Sequence, residues 1–249
     1  MFRIIFIIFL FVFSLPSFAR YQEVDARAKD VPVQYEKNLP TLVNYLIRPY
    51  LKDEELKARA IYAWITYHIE YDTFSYDVQM DKKRVLRKNK LAKTGDAFKT
   101  RVGVCADIAD LFYRMAKLAK LRSEEIVGYA GYDLTMDNFK DSKHAWNAVY
   151  INNKVFFVDA TWGMQGDYRA FENVRTIAEH RKEIRKKRRE KNKDVSTNRS
   201  IDNHWFLVEP KEMIKTHFPE REKHQYLKPA VDMKKVFREN GRRLEKRKK

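Results

Sequence analysis

The stretch that decides the fold is Arg101-Val-Gly-Val-Cys-Ala-Asp-Ile-Ala-Asp-Leu-Phe-Tyr-Arg-Met-Ala-Lys-Leu118, which holds the only cysteine of the 249-residue chain. Gly103 favours a turn just before Cys105. Beyond the cysteine, apolar residues recur at three- and four-residue steps, the spacing of a helix with one buried face: Ile108, Leu111, Phe112, Met115 and Leu118. The sequence therefore predicts a central helix that begins at Cys105.

The position of the cysteine bears on its chemistry. Unpartnered backbone N–H groups at a helix N-terminus favour negative charge, so a thiol there ionises more readily. Asp107 and Asp110 oppose this effect, and a neighbouring histidine would have to contribute much of it. A lone cysteine such as Cys105 can also serve only as a small buried apolar residue.

A predicted hairpin supplies two candidate partners for the thiol. The pattern favours strands over residues 125–132, 144–151 and 154–161, with Asn152-Asn153 as the tight turn between the last two. In that register Trp146 lies opposite Asp159, so His144 and Asp159 point to one face as diagonal neighbours. Such neighbours stand about 7–8 Å apart at the backbone, within reach of an imidazole–carboxylate hydrogen bond.

Cysteine, histidine and aspartate together can perform nucleophilic catalysis. A Cys105 thiolate would attack an acyl carbon, His144 would transfer the proton, and Asp159 would orient the imidazole ring. Each residue also has a structural alternative: a satisfied histidine on a strand, or an aspartate that caps the end of the hairpin. A single cysteine among scattered histidines lacks zinc-ligand spacing, so we expect no metal and no cofactor.

Three motifs resemble the transglutaminase-like superfamily, relatives of papain-type cysteine enzymes: Gly103-Val-Cys105, His144-Ala-Trp146 and Asp159-Ala-Thr161-Trp162. The resemblance implies an α+β, papain-like fold whose central helix packs on a small antiparallel sheet. It also implies Cys105 as nucleophile, His144 as base and Asp159 as orienting residue. The flanking residues 62–72 and 205–219 are similar to the kyphoscoliosis-peptidase-like, cytokinesis-linked branch.

The side chain that would complete an oxyanion hole is harder to assign from sequence. Backbone N–H groups at the helix start, including that of Cys105, are the first donors. Tyr71 is the preferred side-chain candidate, ahead of Trp64 and Gln165. Trp146 and Trp162 are expected to line the site, although buried aromatic residues most often serve packing.

The N-terminal residues predict export. Residues 1–19 combine a short basic start, an apolar run and small residues before Arg20, which is typical of a cleaved signal peptide, with an uncleaved anchor as the alternative. A periplasmic or extracellular location follows. The remaining chain divides into a helical region (20–100), a core (101–219) with a basic insertion (about 164–203), and a basic C-terminal tail (220–249).

The net charge of +17 predicts attraction to anionic surfaces. It is most concentrated from Arg181 to Lys193, which is either a solvated helix face or a docking segment for an anionic envelope polymer or membrane surface. Export and the lack of interleaved aromatic residues make nucleic acid a poor candidate. We expect a monomer that performs acyl transfer, with hydrolysis favoured, on a peptide or protein. The alternative is a catalytically silent binding module.

Overall fold

The computed structural model describes residues 17–80, 95–190 and 198–247. Its helices are α1 (Ser17–Lys29), α2 (Leu39–Ile47), α3 (Glu54–His68), α4 (Thr73–Met80), α5 (Ala97–Thr100), α6 (Cys105–Leu118), α7 (Ile177–Glu190), α8 (Pro210–Met213) and α9 (Met233–Arg247). Its strands are β1 (Glu70–Asp72), β2 (Val102–Gly103), β3 (Ser123–Ala130), β4 (Lys143–Ile151), β5 (Lys154–Val158), β6 (Met164–Gln165), β7 (Arg169–Ala170), β8 (Ser200–Ile201) and β9 (His217–Pro219).

The predicted α+β, papain-like fold is confirmed. Helix α6 begins at Cys105 and packs on an antiparallel sheet with the strand order β5-β4-β3-β9. Its apolar face is buried as the helical spacing predicts at Ile108, Leu111, Phe112 and Met115, which are at most 1% exposed. The prediction is wrong for Leu118, which is 43% exposed because it lies at the last residue of the helix. The Asn147 side chain on β4 donates a hydrogen bond to the Ala109 carbonyl at 3.0 Å, which ties the strand directly to the helix.

The predicted hairpin register is confirmed over its paired length. Strands β4 and β5 pair from Ile151–Lys154 to Asn147–Val158 around the turn at Asn152-Asn153, where both residues have positive φ. The strand ends one residue before Asp159, whose backbone N–H instead donates to the Trp205 carbonyl at 3.0 Å. Asp159 therefore lies at the open end of the hairpin, away from the Asn152-Asn153 turn.

Helices α2 and α3 pack on the other side of α6, and α1 packs on α3. Asp53 caps α3, with its side chain accepting a hydrogen bond from the Leu56 N–H. Within the predicted helical region, the polar composition of residues 20–40 predicts a lead-in before the first helix. These residues are instead largely helical, because Val24 and Ala28 of α1 are buried against the core.

A small parallel sheet, β2-β1-β7, lies beside the start of α6. It pairs Tyr71 with Gly103 on one side and with Arg169 on the other. The polar and basic composition of residues 72–100 predicts that they wrap the surface. This is wrong for Asp72, Phe98 and Thr100, which are buried, while residues 81–94 lie outside the described part.

The two basic segments both contain helices. Helix α7 lies in the insertion, and residues 191–197 beyond it are outside the described part. Helix α9 occupies the C-terminal segment and buries Phe237 in a cluster with Leu134 and Phe218. Most of the proposed signal peptide, residues 1–16, also lies outside the described ranges. Within them, every helix is too short or too polar to cross a membrane.

Candidate active site

The loop before Cys105 is held by close packing and hydrogen bonds. A Cβ atom at Gly103 would lie 2.7 Å from the Asp107 Cβ, so a glycine is needed where the loop passes the helix. The Asp107 Oδ2 atom in turn accepts a hydrogen bond from the Val104 N–H at 3.0 Å. Cys105 itself is fully buried at the first position of α6.

A buried ionic network anchors the same loop from behind. Arg101 has a left-handed backbone conformation and pairs with Glu36 at 2.8 Å. Its guanidinium also stacks over the Trp64 ring, 4.5 Å from the centroid. The Trp64 indole N–H donates to Glu36 at 3.2 Å, so this tryptophan serves the network and not an oxyanion hole.

His144 and Asp159 meet as the hairpin register predicts. The Nε2 atom of His144 lies 2.6 Å from the Asp159 Oδ2, and both residues are buried. Cys105 lies close enough to His144 to contribute, after Asp159, to the raised pKa of the ring, so the three predicted residues lie near one another. The Oδ1 atom of Asp159 accepts from the N–H groups of Thr161 and Trp162, so the carboxylate closes the turn as well as holding the histidine.

His217 is a fourth member of the cluster, and its role was not predicted from the sequence. Its Nε2 lies 2.9 Å from the same Asp159 Oδ2, and its Nδ1 lies 2.8 Å from the Thr216 hydroxyl. The ring is enclosed by Trp146, Trp162 and Trp205, at centroid distances of 5.0, 4.6 and 5.2 Å. One carboxylate oxygen of Asp159 therefore forms hydrogen bonds with two imidazole groups.

The two imidazoles and the carboxylate also present ligand atoms that lie within 4.8 Å of one another. Ligand atoms at tetrahedral angles around zinc stand about 3.3 Å apart. The contacts of 2.6 and 2.9 Å to a single oxygen are shorter and have hydrogen-bond geometry. The arrangement fits a hydrogen-bonded cluster better than a set of metal ligands.

The electrostatics give the two histidines different charges. Burial disfavours the charged form of His144, but attraction to Asp159 and Cys105 and hydrogen bonds to both outweigh it and raise the pKa of His144 to about 10. Burial also opposes ionisation of Asp159, yet the charge and hydrogen bond of His144 hold its pKa well below the usual value. Burial lowers the pKa of His217 to about 4. At neutral pH the cluster contains an imidazolium, a carboxylate and a neutral imidazole.

A cleft of about 560 Å³ opens onto His144. Aromatic side chains form much of its wall: Tyr71, Tyr76, Trp162, Tyr168 and Trp205. Three charged residues, Asp77, Lys143 and Arg169, lie among them. The cleft thus combines apolar surface with a few charged groups, which is typical of a site that binds an organic ligand.

The predicted lining residues have different positions. Trp162 and Tyr71 both line the cleft. The pKa of Tyr71 is strongly raised, first by burial and then by the nearby Cys105. Trp146 is 1% exposed and supports His144 and His217 from behind the cleft. Gln165 is exposed on β6, where its side chain accepts from the Ser200 hydroxyl at 3.3 Å, and it does not line the cleft.

A family profile matches the part of the chain that carries these residues. The profile of the transglutaminase-like superfamily matches residues 41–162, which include Cys105, His144 and Asp159. The chain therefore carries a domain of the transglutaminase-like superfamily.

Within that superfamily the chain is similar to two animal proteins. It is 29% identical to mouse (Mus musculus) kyphoscoliosis peptidase over 228 residues, covering 89% of this chain and 29% of that protein. It is 30% identical to hillarin of Drosophila melanogaster over 220 residues, covering 86% of this chain and 24% of that protein. The chain thus spans less than a third of the length of these relatives.

Among solved structures, the periplasmic domain of TgpA from Pseudomonas aeruginosa is similar at 18% identity with a TM-score of 0.38. The match covers 57% of this chain and 48% of that one.

Proposed function

We propose that this protein is an exported cysteine enzyme that transfers acyl groups from a peptide or protein substrate through a thioester on Cys105. The observation that carries the proposal is the position of Cys105 at the start of α6, beside the hydrogen-bonded pair of His144 and Asp159, with His144 lining a cleft. A histidinium next to a thiol favours the thiolate, which is the reactive form.

The chemistry follows from these positions. The sulfur attacks the carbonyl carbon of the substrate, and the oxyanion accepts hydrogen bonds from the Cys105 N–H and the Tyr71 hydroxyl. His144 gives its proton to the leaving amine as the C–N bond breaks, which leaves a thioester. A water molecule then attacks the thioester while His144 takes a proton from that water. The acyl group leaves as a carboxylic acid, and the Cys105 thiol is regenerated. We favour water over an amine as acceptor, in line with the peptidase name of the mammalian relatives.

Alkylation of Cys105 by iodoacetamide across a range of pH tests the proposal. We expect the alkylation rate to depend on His144, with a large loss of rate in His144→Ala across that range. His224→Ala, which removes a histidine outside the cluster, is the matched control. An ordinary thiol profile that His144→Ala leaves unchanged would remove the enzyme proposal.

A trapping experiment separates catalysis from binding alone. Wild-type protein and Cys105→Ala would be incubated with peptide extracts and analysed by mass spectrometry for a thioester on Cys105. The full burial of Cys105 is the observation that favours the second candidate, a catalytically silent binding module. Wild-type protein that retains peptides without any acyl adduct would support that candidate.

Export is a separate part of the proposal, and it rests on the sequence of residues 1–19. Cleavage before Arg20 would remove the first three residues of α1 and would keep Arg20, whose side chain contacts the Asp53 carboxylate that caps α3. Expression in a secretion-competent host should yield a mature protein that begins at Arg20. A retained N-terminus by intact mass would contradict cleavage.

A further inference from the structure

A second cavity, of about 500 Å³, shares no lining residue with the cleft beside His144. Four cations from four separate segments converge on it: Lys37, Lys99, Arg114 and Arg188. Asp96 is the only carboxylate among its described lining residues, and Asp110 just outside them pairs with Arg114 at 3.3 Å. Four positive groups against these two carboxylates leave an excess of two positive charges around one concave surface.

The pairing within this cavity leaves two cations available. Asp96 lies 3.3 Å from Arg114 and 3.7 Å from Lys99, so it is shared between them. Lys37 and Arg188 form no ion pair with any residue in the described ranges, and both are exposed. These two are the groups that a bound anion would meet first.

Helix α7 extends the positive surface away from the cavity. Its outward face presents six exposed cations: Arg181, Lys182, Arg185, Lys186, Arg188 and Arg189. Its inward side is fixed by a Lys187–Glu70 ion pair and by His180, which lies 2.8 Å from Asp72. From Arg181 to Arg189 the helix rises by about 12 Å, so the charges form a continuous row longer than a single phosphate.

We infer that this cavity and the outward face of α7 form a binding site for a linear polymer with repeated phosphate groups. One phosphate would occupy the cavity between Lys37 and Arg188, and the following groups would lie along α7. A flat bilayer fits a concave site poorly, and the outward face from Arg181 to Arg189 has no apolar residue to insert into lipid. That face also has no aromatic platform on which nucleotide bases could stack.

Binding of polyphosphate of defined chain length, followed by calorimetry, tests the inference. We expect polyphosphate to bind far more tightly than orthophosphate, with an affinity that falls steeply as salt rises. The double variant Lys37→Gln/Arg188→Gln should lose at least about tenfold in affinity, which corresponds to about 1.4 kcal/mol. The matched control, Lys211→Gln/Lys223→Gln, removes two exposed lysines outside the cavity and α7 and should lose about twofold or less.

Three outcomes would overturn the inference. Equal losses in both double variants would mean that only the total charge matters. Orthophosphate that binds as tightly as the polymer would remove the role of α7. Phosphatidylglycerol vesicles that bind more tightly than polyphosphate, through the same residues, would assign the surface to membranes. The alkylation rate of Cys105 should be unchanged in both variants, so this test is independent of the proposed enzyme activity.

Discussion

Asp159 carries more contacts than an orienting carboxylate requires. Its Oδ1 atom closes a turn, and its Oδ2 atom receives both His144 and His217 while remaining inaccessible to water. Hydrogen bonds to a buried charge each contribute about 1.5–3 kcal/mol, and an unmet one costs a comparable amount. His217 therefore helps to keep Asp159 ionised and in place, although it does not face the cleft.

Substitution of His217 should change how stability depends on pH. Because burial lowers its pKa from 6.5 to about 4, the unfolded chain binds a proton at His217 between these values while the folded protein does not. The stability associated with this group is thus complete above pH 6.5 and is lost as the pH falls towards 4. His217→Gln keeps an N–H donor for Asp159 but cannot titrate. Between pH 7 and pH 4.5, the free energy of unfolding in urea should therefore fall by about 2–3 kcal/mol less in the variant than in the wild type.

The same substitution at the exposed His204 is the control for the general loss of a histidine. His217→Leu, which removes the donor as well, should be less stable than His217→Gln at pH 7 by about 1–3 kcal/mol. Parallel pH curves for wild type and His217→Gln would contradict the role assigned to this buried ring.

At the scale of elements, the close approach of the β2 loop to α6 fixes where the helix begins. Gly103→Ala would place a methyl group 2.7 Å from the Asp107 Cβ, and both lie on backbone that cannot easily move. We expect a lower melting temperature and slower alkylation of Cys105. Gly95→Ala is the matched control, because a Cβ there meets nothing within 4 Å. Equal effects of the two substitutions would show that the close contact is not the cause.

Helix α4 limits access to the thiol. Tyr76 packs against a buried cluster that includes Val104 and Ala106, the two neighbours of Cys105. Cys105 has no exposed surface, so a reagent can reach the thiol only when this region opens. Tyr76→Ala should raise the alkylation rate several-fold, and more for a bulky maleimide than for iodoacetamide. An equal increase in rate for both reagents would indicate that the substitution changes the ionisation of the thiol and not the steric access to it.

Local patterns predict what lies close along the chain. The Asn152-Asn153 turn fixes the register, and the register brings His144 to Asp159. His217 could not be placed in this way, because β9 reaches the sheet by pairing with β3, 58 residues after Asp159, and no tight turn sets that register. The motif His217-Phe-Pro219 was the one available signal. The contact between Asp72 and His180 was hidden for the same reason, with a separation of 108 residues.

At the scale of the whole molecule, the basic insertion is joined to the wall of the cleft. Its helix α7 is held through Asp72, which directly follows Tyr71 in β1 and is 1% exposed. Beyond the helix, the buried Arg199 donates hydrogen bonds to the carbonyl groups of Tyr67 and Ile69 at the end of α3. The insertion is therefore anchored at both ends to the segment that carries Tyr71.

His180→Ala should release α7 while leaving the rest of the fold intact. The substitution removes one donor from the buried Asp72 carboxylate, which Ser75 alone then satisfies, at a cost of about 1–3 kcal/mol. It also removes the stacking of His180 on Phe74. Amide hydrogen exchange in α7 should accelerate about tenfold or more, because local opening becomes easier by that free energy. Exchange in α6 and β4 should stay slow.

Lys182→Ala, on the outward face of the same helix, is the matched control and should leave exchange in α7 nearly unchanged, because it removes no contact with the core. If the inferred polymer site depends on a docked α7, His180→Ala should also weaken polyphosphate binding, although it removes no cation from the outward face. Faster exchange in α7 with unchanged polymer affinity would show that the outward face binds without this anchor. Unchanged exchange would show that the Lys187–Glu70 pair and the contacts with α5 are sufficient to hold the helix.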